Sequence, residues 1–315
     1  MLNLALLLEQ SARRNPSKSA VIMDDHTLRY AELNGAANKL ANALTDLGVR
    51  PGDKVANMLP NPPHFPISYY AILKAGATVV PLNVLFKHRE VQYHLDDSDA
   101  VALIVWEGFA AEAALGFQQA ESCHNLIVVQ APGSATPLPE GAHSFTHLLA
   151  DAAPTFDTVQ TGPGDTAVIL YTSGTTGRPK GAELSHFNMF FNAITADDVL
   201  MGVLPLFHSF GQTCVMNVTL YLGATMTLLP RFDPLKAAEI IKRDRVTYFA
   251  GVPTMYFYLL NHPDAAGFDF SSLRRCVSGG SSMPVEVMHA FNQKHNVTIM
   301  EGYGLSETSP VASFN

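Results

Sequence analysis

Residues 166–181 read TAVILYTSGTTGRPKG, an apolar run that delivers a loop of glycines and hydroxyls ending in Arg178 and Lys180. The run suits a buried strand, being short, apolar and bounded by a turn signal. In the loop, glycines let successive backbone N–H groups face one concavity, hydroxyls add donors, and a lysine supplies positive charge. That is the composition of an anion cradle. The commonest phosphate loop has glycine directly before its lysine and Ser or Thr directly after it. Here Pro179 precedes Lys180 and Gly181 follows it. The next helix is expected to start late, near Ser185, so no helix N-terminus lies beneath the anion.

Strand-like and helix-like segments alternate outward from this stretch. DKVANML (53–59), HFPISYYAILKAGA (64–77), TVVPLN (78–83), HREVQYHL (88–95) and ALIVW (102–106) read strand, helix, strand, helix, strand. The second half repeats the rhythm. Asp233 and Pro234 cap a helix over 234–245, and strand (246–252), helix (253–261), strand (274–280), helix (284–295) and strand (297–303) follow. Near-continuous apolar strands alternating with helices predict an α/β fold of mixed, largely parallel sheets layered with helices. The Pro-, Gly- and Ser-rich stretch 131–164, with a short helix over 145–152, is expected to link two lobes, residues 1–160 and 161–315.

With 315 residues, 47% hydrophobic and 15% charged, the chain is globular and large enough for a sizeable core. A net charge of −8 without a basic stripe argues against nucleic-acid binding. Cys123, Cys214 and Cys276 are odd in number and widely spaced, which fits neither a disulfide framework nor a zinc site and suits the cytoplasm. The opening MLNLALLLEQSARRNP lacks a basic leader, and Glu9, Arg13 and Arg14 follow its apolar run at once, so it reads as an amphipathic helix. Residues 199–230 contain no charged side chain over 32 positions, but Pro205, Gly211 and Gly223 divide them into strand (199–206), helix (209–222) and strand (224–230) of a buried core. No transmembrane segment is expected; a peripheral membrane contact and a homodimer stay open.

Further motifs follow the loop in order: PLFHSFG (205–211), GVPTMY (251–256), SGGSSMP (278–284) and EGYGLSETSP (301–310). Alone, Gly279-Gly280 is an ordinary turn and SETS an ordinary helix cap. Together with YTSGTTGRPKG they resemble the ordered motifs of the adenylate-forming (AMP-binding) enzymes, particularly acyl-CoA synthetases of the fatty-acid–CoA ligase type. The resemblance implies ATP- and Mg2+-dependent activation of a carboxylic acid to an acyl-adenylate, followed by transfer to CoA. It assigns Thr172, Ser173, Gly174, Thr175, Thr176, Gly177 and Lys180 to the β- and γ-phosphates of ATP, and Glu307, with a weaker contact from Thr172, to Mg2+. Thr308 would donate to the α-phosphate. Tyr303 would stack on adenine within the block Glu301, Gly302, Tyr303 and Gly304, with room left by Gly279, Gly280 and Ser281. His208 would lie near the reacting carboxylate, and Gly251, Tyr256 and Gly280 would line the substrate pocket. Lys180, His208 and Thr308 are thus the expected catalytic groups. His186 reads equally as a helix-start residue or a functional one, while His262, His289 and His295 read as surface residues.

Amino-acid-activating relatives carry an aspartate in the His208 block to hold the substrate amine; PLFHSFG has no carboxylate, and a buried amine without one is costly. The PLFH form and the apolar element GVPTMYFYLL (251–260) resemble acyl-CoA synthetases for fatty acids, which implies a medium- or long-chain fatty acid, with an aryl acid as an alternative. An acyl-AMP ligase loading a carrier protein and a non-catalytic nucleotide- or acyl-binding module are the other rivals. Two departures from the family stand out. The chain stops at Asn315, before the ribose-binding aspartate and the lid lysine, so it is expected to be the N-terminal part of a longer enzyme and nearly inactive alone; loss of one major transition-state contact typically costs about 2.7–4 kcal/mol. Residues 186–198 are also shorter than the corresponding segment of family members, through either a true deletion or a missing stretch.

Overall fold

The computed structural model describes residues 3–172, 177–186, 189 and 195–314. Its strands are, in order, β1 (Ser19–Met23), β2 (His26–Arg29), β3 (Lys54–Met58), β4 (Thr78–Pro81), β5 (Ala100–Trp106), β6 (Asn125–Val129), β7 (His143–Ser144), β8 (Thr166–Thr172), β9 (Lys180–Ser185), β10 (Val199–Gly202), β11 (Thr225–Leu228), β12 (Tyr248–Gly251), β13 (Arg275–Ser278), β14 (Ile299–Gly304) and β15 (Val311–Phe314). Among the described residues they form two sheets, ordered β7-β6-β5-β3-β4-β8-β9 and β15-β14-β13-β12-β10-β11-β1-β2. Both have parallel interiors. The antiparallel pairs β8/β9, β14/β15 and β1/β2 lie at sheet edges. The expected α/β architecture is what is found.

The alternation of side chains along each strand sorts the core into three layers. Val55, Ile104, Leu200 and Val277 face a central layer shared by both sheets and by the helices Leu6–Arg14, Tyr30–Asp46 and His64–Lys74. Their neighbours Ala56, Val105, Met201 and Cys276 face two outer layers. The helices expected near the amino terminus, at 64–77, 88–95, 145–152, 234–245, 253–261 and 284–295 are present with ends shifted by a few residues. Residues 209–222 are helical, with a π-helical turn at Gln212–Asn217. No helix of the described residues is long and apolar enough to cross a membrane.

The sheets exchange segments across residue 160. Strand β1 pairs with β11, joining Val21 to Met226, and carries β2 on its outer side, while β8 and β9 complete the sheet of the first half. The division between sheets therefore does not follow the expected division at 1–160 and 161–315. Residues 180–185 are a strand, and the helix expected from Ser185 falls largely on residues 187–188 and 190–194, outside the described residues.

His295 is half-buried instead of on the surface. Its ring lies 4.6 Å from that of Phe270 and 4.7 Å from that of Phe291, and burial lowers its pKa to about 4. His186 is buried, accepts at Nδ1 from the Leu4 amide at 2.9 Å, and is likewise lowered to about 4 by burial. Its partner is the amino-terminal segment, which is a structural role. Both groups titrate near 6.5 when unfolded. The unfolded chain thus takes up protons below that value which the folded chain refuses, and stability falls as pH drops through the window from 6.5 to about 4. The melting temperature is expected to decline already between pH 6.5 and about 5, above the range in which most carboxylates protonate. A flat profile there would contradict the burial of these rings.

Candidate adenylate site

The anion loop is the tip of the edge hairpin β8/β9. Thr172 pairs with Lys180 and Tyr171 with Gly181, so the two arms register across the loop. Gly181 is required where it stands: a Cβ there would lie 2.7 Å from Cγ2 of Ile169. Gly177 adopts φ of +87°, in the left-handed region that favours glycine. Thr172 is half-buried and Lys180 exposed. Ser173, Gly174, Thr175 and Thr176 lie outside the described residues.

The second hairpin, β14/β15, forms the edge of the other sheet and carries Glu301, Gly302, Tyr303 and Gly304. A Cβ on Gly304 would fall 1.8 Å from the Pro310 carbonyl oxygen, so only glycine closes this turn. The turn Ser306–Thr308 holds Glu307 with its side chain exposed and, among the described residues, unpaired. Cα atoms of this turn and of β9 approach within 8 Å. The edge hairpins of two different sheets thereby bring the Lys180 strand beside the Glu307 turn, although the two residues are far apart in sequence.

Between β14 and the start of the 209–222 helix lies a cavity of about 180 Å3 lined by His208, Ser209, Phe210, Gly279, Gly280 and Tyr303. An adjoining cleft of about 390 Å3 is lined by Ser281, Glu301, Gly302 and Tyr303. Gly280 has φ of +80°, and a Cβ on Gly279 would lie 3.1 Å from the Phe210 ring and 3.3 Å from the Gly302 carbonyl oxygen. The Tyr303 ring is 65% exposed at the mouth, with a free face available for stacking. Glu301 accepts from the Met283 amide at 2.9 Å, which ties β14 to the 279–283 loop and makes it a supporting residue.

His208 caps the helix, its Nδ1 accepting from the Phe210 amide at 3.2 Å. Burial lowers its pKa, so the ring is neutral near pH 7. With Nδ1 an acceptor, the proton sits on Nε2, leaving a hydrogen-bond donor without net charge. Ser209 beside it is 1% exposed, lines the same cavity, and its Oγ has no partner among the described residues. Sequence reasoning passed over Ser209 as a helix-start residue; its position next to His208 at the strand-to-helix junction was the available signal. Four residues after His208, Gln212 is fully buried with both amide atoms unpaired among the described residues.

Three expected site residues stand apart from the cavity or are engaged elsewhere. Tyr256 is 0% exposed, donates to the carbonyls of Phe249 at 3.0 Å and Val277 at 2.7 Å, and packs edge-on to Phe249 and Phe291. It belongs to the core behind the sheet, and Gly251, buried at the end of β12, gives its ring room. Neither lines the cavity. Thr308 spends its hydroxyl on its own turn, accepting from the Leu305 amide at 2.9 Å and lying 2.6 Å from the Pro310 carbonyl. A role at the α-phosphate would require it to exchange that carbonyl partner.

Two stacked α/β sheets bring β9, the strand after the glycine-rich hairpin tip, against the 306–308 turn, and that turn borders the cavity lined by His208, Gly279 and Tyr303. The chain belongs to the AMP-binding enzyme family, whose model matches residues 8–315. It is 35% identical to a long-chain-fatty-acid–CoA ligase of Bacillus subtilis (strain 168), over 98% of this chain and 60% of that protein. It is 34% identical to a feruloyl-CoA synthase of Amycolatopsis sp, over 95% of this chain and 58% of that protein. The anthranilate CoA ligase AuaEII, solved in complex with anthranoyl-AMP, superposes with a TM-score of 0.93 at 27% identity, over 99% of this chain and 62% of that one. The chain thus spans about 60% of the length of the Bacillus relative. The alignment with that relative extends over 341 residues, more than this chain contains.

Proposed function

We propose that this chain supplies the nucleotide and carboxylate sites of an AMP-forming acid–thiol ligase. In the first half-reaction a carboxylate oxygen attacks the α-phosphorus of ATP, forming the acyl-adenylate and expelling pyrophosphate. In the second, the CoA thiol attacks the acyl carbon, giving the thioester and AMP. The observation that carries this reading is the approach of β9, which begins at Lys180, to the turn that holds Glu307. Two anions must meet in the first step, so charge neutralisation and alignment are the main demands.

Lys180 and the hairpin tip would hold the terminal phosphates, and Tyr303 would cover adenine. The Nε2–H of His208 would steady the carboxylate without adding a charge of its own. Glu307 fits Mg2+, which favours one or two protein oxygens together with phosphates and water, and the Thr172 hydroxyl is a second candidate. Bound there, the metal would neutralise phosphate charge. The acid is proposed to be a medium- or long-chain fatty acid. The PLFH form of the His208 block and the Bacillus relative support that choice. An aryl acid is the second reading, favoured by the feruloyl and anthranilate relatives. Three buried free thiols suit a reducing cytoplasm.

Carboxylate-dependent exchange of pyrophosphate into ATP, run on full-length protein with acetate, octanoate, palmitate, benzoate, ferulate and amino acids, separates these readings. Octanoate or palmitate is expected to lead. One methylene changes binding by only about 1–3 kcal/mol, so neighbouring chain lengths will be graded weakly. A clear preference for ferulate or benzoate would replace the fatty-acid assignment, and exchange with amino acids alone would overturn it.

A further inference from the structure

Three residues of the helix His88–Asp97 touch the anion hairpin, and none of the three belongs to a motif that carries the adenylation reading. Tyr93 donates its hydroxyl to the Pro179 carbonyl at 2.9 Å, on the returning arm one residue before Lys180. Asp97 accepts from the Tyr171 hydroxyl at 2.7 Å, on the entering arm one residue before Thr172. Between them the buried His94 ring stands edge-on to Tyr171, centroids 4.4 Å apart, and is backed by Phe86 at 4.5 Å. The His94 ring is itself fixed, its Nδ1 lying 2.6 Å from the Glu90 carbonyl oxygen.

Residues 93 and 97 are one helical turn apart and share a face, which lets a single rigid element grip both arms of the loop. Pro179 has no N–H, so its carbonyl is the only backbone group through which that position can be held. Asp97 stands in the last turn of its helix, where the macrodipole disfavours a carboxylate. Burial, followed by the neighbouring Asp97 carboxylate, raises the Tyr171 pKa far above that of an ordinary phenol, so its hydroxyl remains a donor. A loop rich in glycine loses much conformational freedom when it closes on a ligand, and anchoring its arms in advance reduces that cost.

We propose that Tyr93 and Asp97 are positioning residues for the anion loop, holding its two arms so that Thr172 and Lys180 face the same phosphate groups. The proposal rests on the adenylation reading only for the identity of the anion. If the brace acts through the loop, its loss weakens ligands that carry terminal phosphates and spares those that do not. A general loss of structure would weaken both.

The test uses the double variant Tyr93→Phe/Tyr171→Phe, which removes two hydroxyls and keeps both rings, together with Asp97→Ala and Asp97→Asn. Affinities for Mg2+-ATP and for AMP are measured by calorimetry, and amide hydrogen exchange is followed over residues 177–186. Loss of these anchors is expected to weaken ATP about tenfold, as removal of one or two net hydrogen bonds implies. AMP affinity should stay within about twofold, and exchange across β9 should accelerate. Asp97→Asn keeps an acceptor oxygen and should restore ATP binding. Unchanged ATP affinity, equal weakening of ATP and AMP, or failure of Asn to rescue would overturn the proposal. Should the unaltered protein bind neither nucleotide, the adenylation reading fails. The exchange data then decide the brace alone: faster exchange of β9 in the variants supports it, and unchanged exchange refutes it.

Discussion

Glu307→Ala is expected to erase the Mg2+ dependence of ATP binding and to lower adenylation about 10²–10³-fold, the cost typical of removing one major electrostatic contact in a transition state. The carboxylate sits exposed on a tight turn and is unpaired among the described residues, so it stabilises no other part of the fold. Its removal should leave the melting temperature unchanged within a degree or two, since exposed substitutions away from special features cost little. The measurement is ATP affinity with Mg2+ and with EDTA, alongside carboxylate-dependent pyrophosphate exchange. In Glu307→Ala the two affinities should converge. A variant that retains the full Mg2+ effect would remove Glu307 from the metal site.

The second large effect concerns stability. The Lys74 ammonium is 0% exposed and lies 2.5 Å from Glu9, which also receives the Thr158 hydroxyl and the Arg13 guanidinium at 3.2 Å. Burial pushes the Glu9 carboxyl up, but Lys74, Thr158 and Arg13 together bring it below its ordinary value. The pair joins the first helix to the helix His64–Lys74 and to the 131–164 linker. Glu9→Ala leaves a buried ammonium without its counter-charge and is expected to cost about 3–5 kcal/mol. Glu9→Leu combined with Lys74→Met should recover most of that loss, because an apolar pair of similar volume is often no worse than the ions it replaces. Denaturant unfolding of the parent and the two variants checks this, and a Glu9→Ala protein within about 1 kcal/mol of the parent would show that the pair is solvated.

Most elements could be read from the sequence because each depends on local pattern. Asp233-Pro234 announces its helix by a cap that forms as expected, the Asp233 side chain accepting from the Lys236 amide. Which sheet a strand joins is a different matter. Strand β1 pairs with β11, some two hundred residues away, and no property of SAVIM points to TMTL as its neighbour. Strand β9, KGAELS, is short and polar, so its hairpin with β8 gives only a faint alternation.

The site divides in the same way. The resemblance named Gly280 and Gly304, and both stand where the backbone favours glycine, Gly280 at φ of +80° and Gly304 against the Pro310 carbonyl oxygen. The cavity does gather His208, Gly279, Gly280 and Tyr303 from three separated motifs. Tyr256 was misplaced because an aromatic helix shows its composition and not which face meets solvent; its hydroxyl finds two backbone carbonyls that only the fold supplies. Tyr93 falls within the expected helix 88–95 and Asp97 two residues beyond it, and neither shows a role in sequence because their partners lie on another element.

The central claim is that the two edge hairpins form one Mg2+-ATP site, and titration of the chain with ATP in the presence of Mg2+ tests it most directly. One saturable site per chain is predicted, weakened by EDTA and strongly weakened by Lys180→Ala. No saturable binding, or binding indifferent to both EDTA and the loss of Lys180, would contradict the account.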